Sequence, residues 1–507
     1  MNSLPVITWE LSETVQHADI FSGLSSEFEI EIKPAISSTL RFYDDFDAHL
    51  WQANYLLCNA DKQKFQLIAH SGCIDTVSAP GDARFWWEFR ESEVKAKLQK
   101  LIGLRAILLV ASLRLLETDF SLRNSDQKIV VKGRLTQSMG GDQPTCYCTL
   151  RALRGYSKFH TRAAQILEPL IKAKIKDFGL KCLLEAQDLE VFKSKQGNSV
   201  LLLTVAMQAE PAVRSIALAM LDQAERHVRG VIADTDTEFL HQFRVNVRKL
   251  RSLISLLKKA LPTTLIDTLK PKLSLIAGKT NKLRDLDVLI LAHESYRTML
   301  PANFESGLNK LYGLIEKQRK QEKNKVARYL SSKDYKATIA SCAAEFSLNS
   351  VFETAMASKS IARVVKKLIL KRYHKMLAMC QGISCQSPDE NIHALRIEFK
   401  KLRYLIEFFV DLLPKKRIVK IVGEIKKIQT ILGDYNDYGV QIGILNGYVD
   451  DALVDMSNSL SGLIAILHQK KIEKRSKVES AIADFFTENM TNEFNLVFGI
   501  RKTKGLG

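Results

Sequence analysis

The spacing of apolar residues divides the chain into two parts. In the first part, short apolar runs such as FEIEIK (28–33), QKIVVKGRL (127–135) and TCYCTLRAL (145–153) are separated by segments rich in Gly, Pro and Asp. Such alternation predicts antiparallel β-structure. From about residue 210, long stretches rich in Leu, Ile and Ala repeat with a period near 3.6, which predicts helices. We therefore expect an α+β multidomain protein with a β-domain at 20–205 and an all-α domain at 210–500.

The helical part contains an internal repeat. The segment TDTEFLHQFRVNVRKLRSLISLLKKALP, from Thr235, aligns without a gap with SPDENIHALRIEFKKLRYLIEFFVDLLP, from Ser387. Further along, RDLDV from Arg284 falls on NDYGV from Asn436 at the same offset. Self-similarity of this kind indicates two copies of one supersecondary unit, here at about 210–350 and 360–500.

Both copies begin with the pattern of a helix start. Thr235 and Glu238 have the spacing of a capping box, as do Ser387 and Glu390, and Pro388 suits the first helical position. These patterns predict that Thr235 and Ser387 cap the two related helices.

A stripe of basic residues follows each of these helices. At about 100° per residue, the stripe lies beside the apolar face that a helical bundle buries. In the first copy that face consists of Leu240, Phe243, Val247, Leu250 and Ile254. The stripe itself consists of His241, Arg244, Arg248 and Arg251 in the first copy and of His393, Arg396, Lys400 and Arg403 in the second.

The charge distribution along the chain indicates that the stripes bind an acidic partner. Residues 1–200 contain 25 Lys and Arg and 24 Asp and Glu, so nearly all of the net charge of +18 belongs to residues 201–507. This asymmetry indicates an acidic partner: nucleic acid, an anionic membrane or polyphosphate. Guanidinium groups bind two phosphate oxygens at once, and lysine adds a mobile charge. A single basic helix is usually a solvated surface, but matching stripes in two copies favour binding.

The repeated motifs HxxRVxxRxxR and HxxRIxxKxxR, together with RDLDV and NDYGV, resemble the CHAD domain, the conserved histidine α-helical domain. The resemblance covers about residues 210–500. It implies two pseudo-symmetric four-helix bundles with a central basic cleft for inorganic polyphosphate, bound by the eight stripe residues, and association with polyphosphate granules. We expect Asp285 and Asp437 to form caps or salt bridges with the stripe and not to bind metal.

The first part carries a weaker motif. A period of two places Glu29, Glu31 and Lys33 on one face of a strand, where carboxylates can hold a divalent cation and lysine a phosphate. A half-exposed strand with alternating charges is the equal alternative. The ExExK pattern resembles the opening of a CYTH domain, the tunnel-shaped β-barrel of triphosphatases and class IV adenylyl cyclases. The resemblance implies Mg²⁺ or Mn²⁺ at Glu29 and Glu31 and phosphate at Lys33.

The sequence departs from the CYTH pattern beyond this motif. The following strand has Lys62 and Lys64 but no Arg-x-Arg, and the later acidic segment LEAQDLEVFK (184–193) is a poor match for a second ExE strand. We therefore expect a degenerate CYTH-like barrel.

Three functions follow from these patterns. The favoured one is a polyphosphate-binding protein, because the basic stripe is repeated and the site motif of the first part is incomplete. We expect it in the cytoplasm, because the cysteines are scattered without CxxC spacing and no apolar leader is visible. The second is a metal-dependent triphosphatase to which the helical domain brings substrate. The third is a nucleic-acid binder, which is disfavoured because the stripes lack stacking aromatics and no DNA-reading motif is present.

Overall fold

The chain divides into two compact units, Met1–Asn198 and Ser199–Gly507. The computed structural model describes residues 6–13, 15–61, 63–69, 74–139, 145–175, 203–347, 354, 356–384, 386–449 and 454–499. The first unit contains an antiparallel sheet and the second is helical, which confirms the predicted α+β composition.

One antiparallel sheet forms the framework of the first unit. Its strands are β1 (Val6–Leu11), β2 (Glu29–Ile32), β3 (Ile36–Asp44), β4 (Tyr55–Asp61), β5 (Lys64–Ala69), β6 (Ile74–Ser78), β7 (Leu108–Arg123), β8 (Ile129–Ser138), β9 (Thr145–Ala152) and β10 (Ile171–Ile175). Their order is β10-β1-β9-β8-β7-β3-β4-β5-β6. The 16-residue strand β7 pairs with β3 along its first part and with β2 near its end. Among the described strands, β10 and β6 stand at the two ends of this order, and β2 pairs with β7 alone.

Helices cover the apolar face of the central strands. The helices of this unit are α1 (His17–Ser25), α2 (His49–Gln52), α3 (Glu93–Ile102) and α4 (Ser157–Leu167). Ile20 and Leu24 of α1 and Leu167 of α4 pack on Phe120 and Leu150 in one buried cluster. Since side chains alternate along a strand, the charged residues of β7, β8 and β9 fall on the opposite face.

Two related sets of helices form the second unit. The first set comprises α5 (Ala209–Ala233), α6 (Thr237–Leu256), α7 (Thr263–Lys279), α8 (Asn281–Met299), α9 (Glu305–Ser331) and α10 (Lys333–Ser347). The second comprises α11 (Ile361–Gln381), α12 (Asp389–Phe408), α13 (Lys415–Asn446), α14 (Val454–Ser476), α15 (Val478–Phe485) and α16 (Glu488–Phe498). Helices α5 and α11, α6 and α12, and α7 and α13 begin at residues separated by 152 positions in each pair. None of the described helices is long and apolar enough to cross a membrane.

The two copies differ at one helix. In the first copy α7 ends at Lys279 and α8 begins at Asn281, whereas the corresponding α13 runs unbroken through Leu432. Thr280 lies at the break and is fully buried. Its hydroxyl donates toward the carbonyl of Ala277, so a polar group takes the position that an apolar leucine fills in α13.

A shared apolar cluster joins the two copies. Leu289 of α8 and Leu311 of α9 lie in one buried cluster with Ile442 of α13 and Leu463 of α14. Because helices from both copies contribute to this cluster, the copies form one continuous core.

The predicted buried face is confirmed, and the predicted caps are wrong. Leu240, Phe243, Val247, Leu250 and Ile254 are all buried. At the start of α6, however, the N-cap is Asp236, whose carboxylate accepts hydrogen bonds from the amides of Glu238 and Phe239. At the start of α12 the N-cap is Pro388, without a side-chain cap, and Ser387 Oγ instead accepts from the amide of Ser384. Thr235 and Ser387 therefore do not cap these helices.

Helix α5 is held against α6 by the close approach of Gly230 to the Phe239 ring. A Cβ atom at Gly230 would lie 2.1 Å from the Phe239 ring carbon Cδ1. Although alanine favours a helix over glycine by about 1 kcal/mol, we expect Gly230→Ala to lower the free energy of unfolding by about 1–3 kcal/mol through overpacking. Urea unfolding measures the change.

Gly313→Ala on α9 is the matched control. A Cβ there meets nothing within 4 Å, so this variant should gain about 0.5–1 kcal/mol from helix propensity alone. Equal stabilisation by both substitutions would contradict the predicted clash at Gly230.

Candidate functional site: a basic cleft between the helical repeats

A cleft of about 610 Å³ opens between the two copies. Helices α6 and α8 form its first wall and α12 and α13 its second. Eight Lys and Arg residues and three carboxylates line this basic cleft, with His241 beside them. The cations are Arg244, Arg248, Lys249, Arg284, Arg396, Lys400, Arg403 and Lys426, and the carboxylates are Asp285, Glu407 and Asp437.

Six of the eight stripe residues line the basic cleft: His241, Arg244, Arg248, Arg396, Lys400 and Arg403. The other two do not. Arg251 is exposed on α6, and His393 lines a neighbouring cavity. The Nδ1 atom of His393 lies 2.8 Å from the Asn436 side-chain oxygen. The two stripes thus converge from α6 and α12, while their outer members diverge.

Three further cations belong to the cleft. Arg284 reaches it from α8, Lys249 from α6 and Lys426 from α13. Arg284 is part of the repeated RDLDV segment, but its counterpart in the second copy is Asn436. A search for residue types shared by both copies therefore passes over it.

The cleft holds its cations in a partly dehydrated state. Burial lowers the pKa of Lys400 to about 8, and the charges of Arg396 and Arg248 add to this effect. Burial also lowers the pKa of Arg244 to about 10, with Arg248 contributing. Arg248 of the first copy and Lys400 and Arg396 of the second line the same cleft, so the two stripes face each other across it.

Different partners fix the equivalent arginines of the two copies. Arg244 Nη1 donates to the Ala277 carbonyl at 3.0 Å and to Thr280 Oγ1 at 2.7 Å, both at the break between α7 and α8. Arg396 Nη2 instead donates to Asp437 at 3.3 Å. Asp437 thus forms the salt bridge to the stripe that was expected of it.

Some donors in the cleft remain unsatisfied. Arg284 Nη1 and Arg396 Nε are buried and have no hydrogen-bond partner within the described part of the chain. A buried donor without an acceptor costs about 1–3 kcal/mol. An oxyanion in the cleft could supply the missing acceptors.

A second charged cavity, of about 580 Å³, lies on the polar face of the sheet in the first unit. Cross-strand register places Glu31, Ser121, Lys132 and Arg151 in one row across β2, β7, β8 and β9. Lys33 and Arg134 also line this cavity. Two of the three residues proposed for a triphosphate site, Glu31 and Lys33, therefore share one cavity with several cations.

The carboxylates of this region already have partners. Arg123 Nη2 donates to Glu31 at 2.7 Å, and the Gln127 side chain donates to Glu29, which does not line the cavity. Arg134 bonds both Asp119 and Glu117 at 2.7 Å. Lys62 and the acidic segment 184–193 lie outside the described residues.

One group of side chains in the described residues has metal-ligand spacing, and it lies elsewhere. Asp45, Asp47 and His49 bring their ligand atoms within 4.8 Å of one another. Asp45 also accepts from the amides of Asp47 and His49, as in a local turn. Neither Glu29 nor Glu31 belongs to such a group.

The second unit is thus a helical domain of two related copies with a cationic cleft between them. Residues 215–446 match the family model of the CHAD domain. The chain contains a CHAD domain, as the repeated motifs predicted.

Solved structures with similarity to the chain include the CHAD domain from the plant Ricinus communis, which is 23% identical, with a TM-score of 0.48 over 55% of this chain and 93% of that one. PptA from Streptomyces chartreusis is 14% identical, with a TM-score of 0.42, and the match covers 55% of this chain and 99% of that one. PH1819 from Pyrococcus horikoshii OT3 is 10% identical, with a TM-score of 0.21, and the match covers 36% of this chain and 99% of that one. No curated protein sequence matches the chain.

Lys400 is expected to destabilise the protein when no anion is bound. Its pKa, about 8, lies below the ordinary value of 10.5, so folding at neutral pH forces a charged ammonium group into an unfavourable site. Lys400→Met should therefore raise the free energy of unfolding at pH 7 by on the order of 1–2 kcal/mol. Thermal and urea unfolding test this expectation.

The size of the effect depends on pH. The cost of Lys400 is fully present below pH 8 and fades as pH rises from about 8 toward 10.5. The advantage of Lys400→Met should therefore shrink at pH 10. Lys366→Met, on the exposed surface of α11, should have no such effect. A Lys400→Met protein that is less stable than wild type at pH 7 would refute this account.

Proposed function

We propose that the second unit binds inorganic polyphosphate in the basic cleft between its two helical copies. The observation that carries the proposal is the excess of cations in the cleft, eight against three carboxylates. Polyphosphate carries about one negative charge per phosphate along a flexible chain, so it can follow both walls at once. The CHAD resemblance points to the same ligand class, and with it to association with polyphosphate granules.

The partly dehydrated state of the cleft supports a phosphate ligand in particular. Arg244 and Arg396 are held in place by bonds to their own copies, so little side-chain entropy is lost when an anion binds. Arg284 Nη1 and Arg396 Nε offer buried donors. A phosphate chain supplies several oxygens to each guanidinium group and relieves the repulsion between the two stripes.

Nucleic acid fits the same cleft less well. Tyr404 is the aromatic residue that lines it, and the guanidinium of Arg403 lies over the Tyr404 ring, 5.5 Å from the centroid. Binding of single strands usually depends on aromatic rings that are free to stack on successive bases. We therefore expect single-stranded DNA of equal total charge to compete poorly with long-chain polyphosphate.

Charge reversal across the cleft tests the proposal. Arg248→Glu/Lys400→Glu should weaken the binding of long-chain polyphosphate by about a hundredfold or more, because it removes the pair of cations that face each other from the two copies. Binding of a labelled chain is measured between 50 and 300 mM salt, and the slope of log affinity against log salt should become shallower.

A control variant separates the effect of charges in the basic cleft from the effect of the protein's net charge. Arg363→Glu/Lys367→Glu, on the exposed face of α11, changes the net charge by the same amount outside the cleft. It should reduce affinity only a few-fold. Equal losses from both double variants, with the fold intact by circular dichroism, would mean that polyphosphate binds without using the cleft.

A metal-dependent triphosphatase in the first unit is the second candidate. The observation that favours it is the shared cavity of Glu31, Lys33, Lys132 and Arg151. In this proposal the unit is a CYTH-like domain, Glu29 and Glu31 hold Mg²⁺ or Mn²⁺, and Lys33 contacts phosphate. The ion pairs of Arg123 and Arg134 would have to open first.

Phosphate release from tripolyphosphate, with Mg²⁺ and with Mn²⁺, decides between a scaffold and an enzyme. Because Glu29 and Glu31 are already bonded and lack a third nearby ligand among the described residues, we expect no turnover above background. Glu29→Ala/Glu31→Ala should then match wild type. Turnover that this double substitution abolishes would instead establish the triphosphatase.

A further inference from the structure

A third cavity, of about 550 Å³, lies beside the basic cleft within the second copy. Helices α12, α13 and α14 form it. Val440 lines both the cavity and the cleft, so the two spaces are neighbours on α13. His393, the stripe residue that does not reach the cleft, lies here.

Small side chains open this cavity in the second copy. At the repeat offset of 152 residues, Ala394, Asn436 and Gly439 stand where the first copy has the larger Gln242, Arg284 and Asp287. All three residues line the cavity, so each difference between the copies reduces the side-chain volume around it.

The corresponding space in the first copy is crossed by an ion-pair network. Arg319 Nε donates to Asp287 at 2.7 Å, and its two terminal nitrogens donate to Asp234 at 2.8 and 2.7 Å. The counterpart of Arg319 is Lys471, which extends to Asp389 instead, at 2.5 Å. The network that closes the first copy is thus absent at the matching positions of the second.

The charges of this cavity are opposite in character to those of the cleft. Lys471 is paired with Asp389, which leaves the carboxylate of Glu390 on the lining. The adjacent cleft has five more cations than carboxylates. A phosphate chain is therefore drawn to the cleft and away from the cavity.

The walls of the cavity suit an uncharged flat ring. Ile392, Leu432 and Val440 provide apolar surface, and a cavity of this size holds a small organic group. Glu390 can accept hydrogen bonds from ring or amino N–H groups, and His393 and Asn436 lie on the same lining. Nucleobases combine a flat apolar face with such donors and acceptors.

We propose that this cavity binds the base of a nucleoside polyphosphate whose phosphate chain lies in the basic cleft. The inference rests on the proposed function, because it requires the cleft to bind phosphate chains. It makes soluble nucleotides with three or more phosphates ligands of the domain, held by both spaces at once.

The test compares ATP with inorganic tripolyphosphate on the full-length protein, by calorimetry without divalent cations. ATP carries less negative charge, so the cleft alone would favour tripolyphosphate. We expect ATP to bind about tenfold more tightly, a difference of about 1.4 kcal/mol.

A cavity-filling variant assigns the preference to this site. Ala394→Gln/Gly439→Asn approximates the first copy without adding charge, and a Cβ at Gly439 fits, since its nearest atoms are Lys471 Cε and Nζ at 3.7 and 3.8 Å. It should abolish the preference for ATP and change tripolyphosphate affinity less than twofold. Gly313→Asn, in open space on α9, should alter neither ligand.

The outcomes are distinguishable. Equal or weaker binding of ATP than of tripolyphosphate by wild type overturns the inference and leaves the cleft intact as a polyphosphate site. A preference for ATP that survives the cavity-filling variant overturns the assignment of the base to this cavity. Failure to bind ATP, tripolyphosphate and long-chain polyphosphate overturns the proposed function itself.

Discussion

The apolar cluster shared by α8, α9, α13 and α14 is the interaction on which the rest of the second unit depends. It holds together two copies whose facing surfaces repel each other. Burial lowers the pKa of Lys400 and Arg396 in the second copy, and the charge of Arg248 in the first copy adds to this effect. Folding therefore brings these cations together although they repel each other. Buried apolar side chains contribute about 1.5–3 kcal/mol each, and a cluster of this size can offset several such repulsions.

The two copies hold the equivalent arginines, Arg244 and Arg396, in place by different hydrogen bonds. In the first, Arg244 donates to the Ala277 carbonyl and to the Thr280 hydroxyl at the break between α7 and α8. In the second, α13 is continuous, and the carboxylate of Asp437 holds Arg396. A carboxylate neutralises part of the charge that it positions, whereas a carbonyl and a hydroxyl do not. Asp285, the first-copy counterpart of Asp437, also lines the cleft and attracts Arg244, so a carboxylate accompanies the guanidinium group on both walls.

Helical periodicity was sufficient to predict the buried face of α6 and the stripe beside it. A helical wheel gives the direction of a side chain around its own axis, but not which neighbouring helix lies opposite. This is why Arg251 and His393 share the stripe yet miss the cleft. The repeat does not single out Arg284, because its counterpart is Asn436. The capping pattern points to Thr235, one residue before the observed cap at Asp236, because both residue types cap helices well. Alternation likewise predicted the strand at Glu29 and Glu31, but their bonds to Gln127 and Arg123 depend on pairing with a strand about ninety residues away.

The same chain thus carries two charged cavities with different capacities for phosphate. In the first unit, Arg134 is neutralised by Asp119 and Glu117, and Arg123 by Glu31. A phosphate that binds to Arg123 or Arg134 must exchange one set of ion pairs for another, and such an exchange between partly exposed groups gains little. In the basic cleft, eight cations stand against three carboxylates, compared with five against three in the first unit's cavity, and some buried donors have no acceptor in the described chain. An anion there replaces repulsion with attraction and satisfies those donors, so the gain in free energy per phosphate is larger. Electrostatics therefore favours the basic cleft over the cavity of the first unit as a site for a phosphate chain.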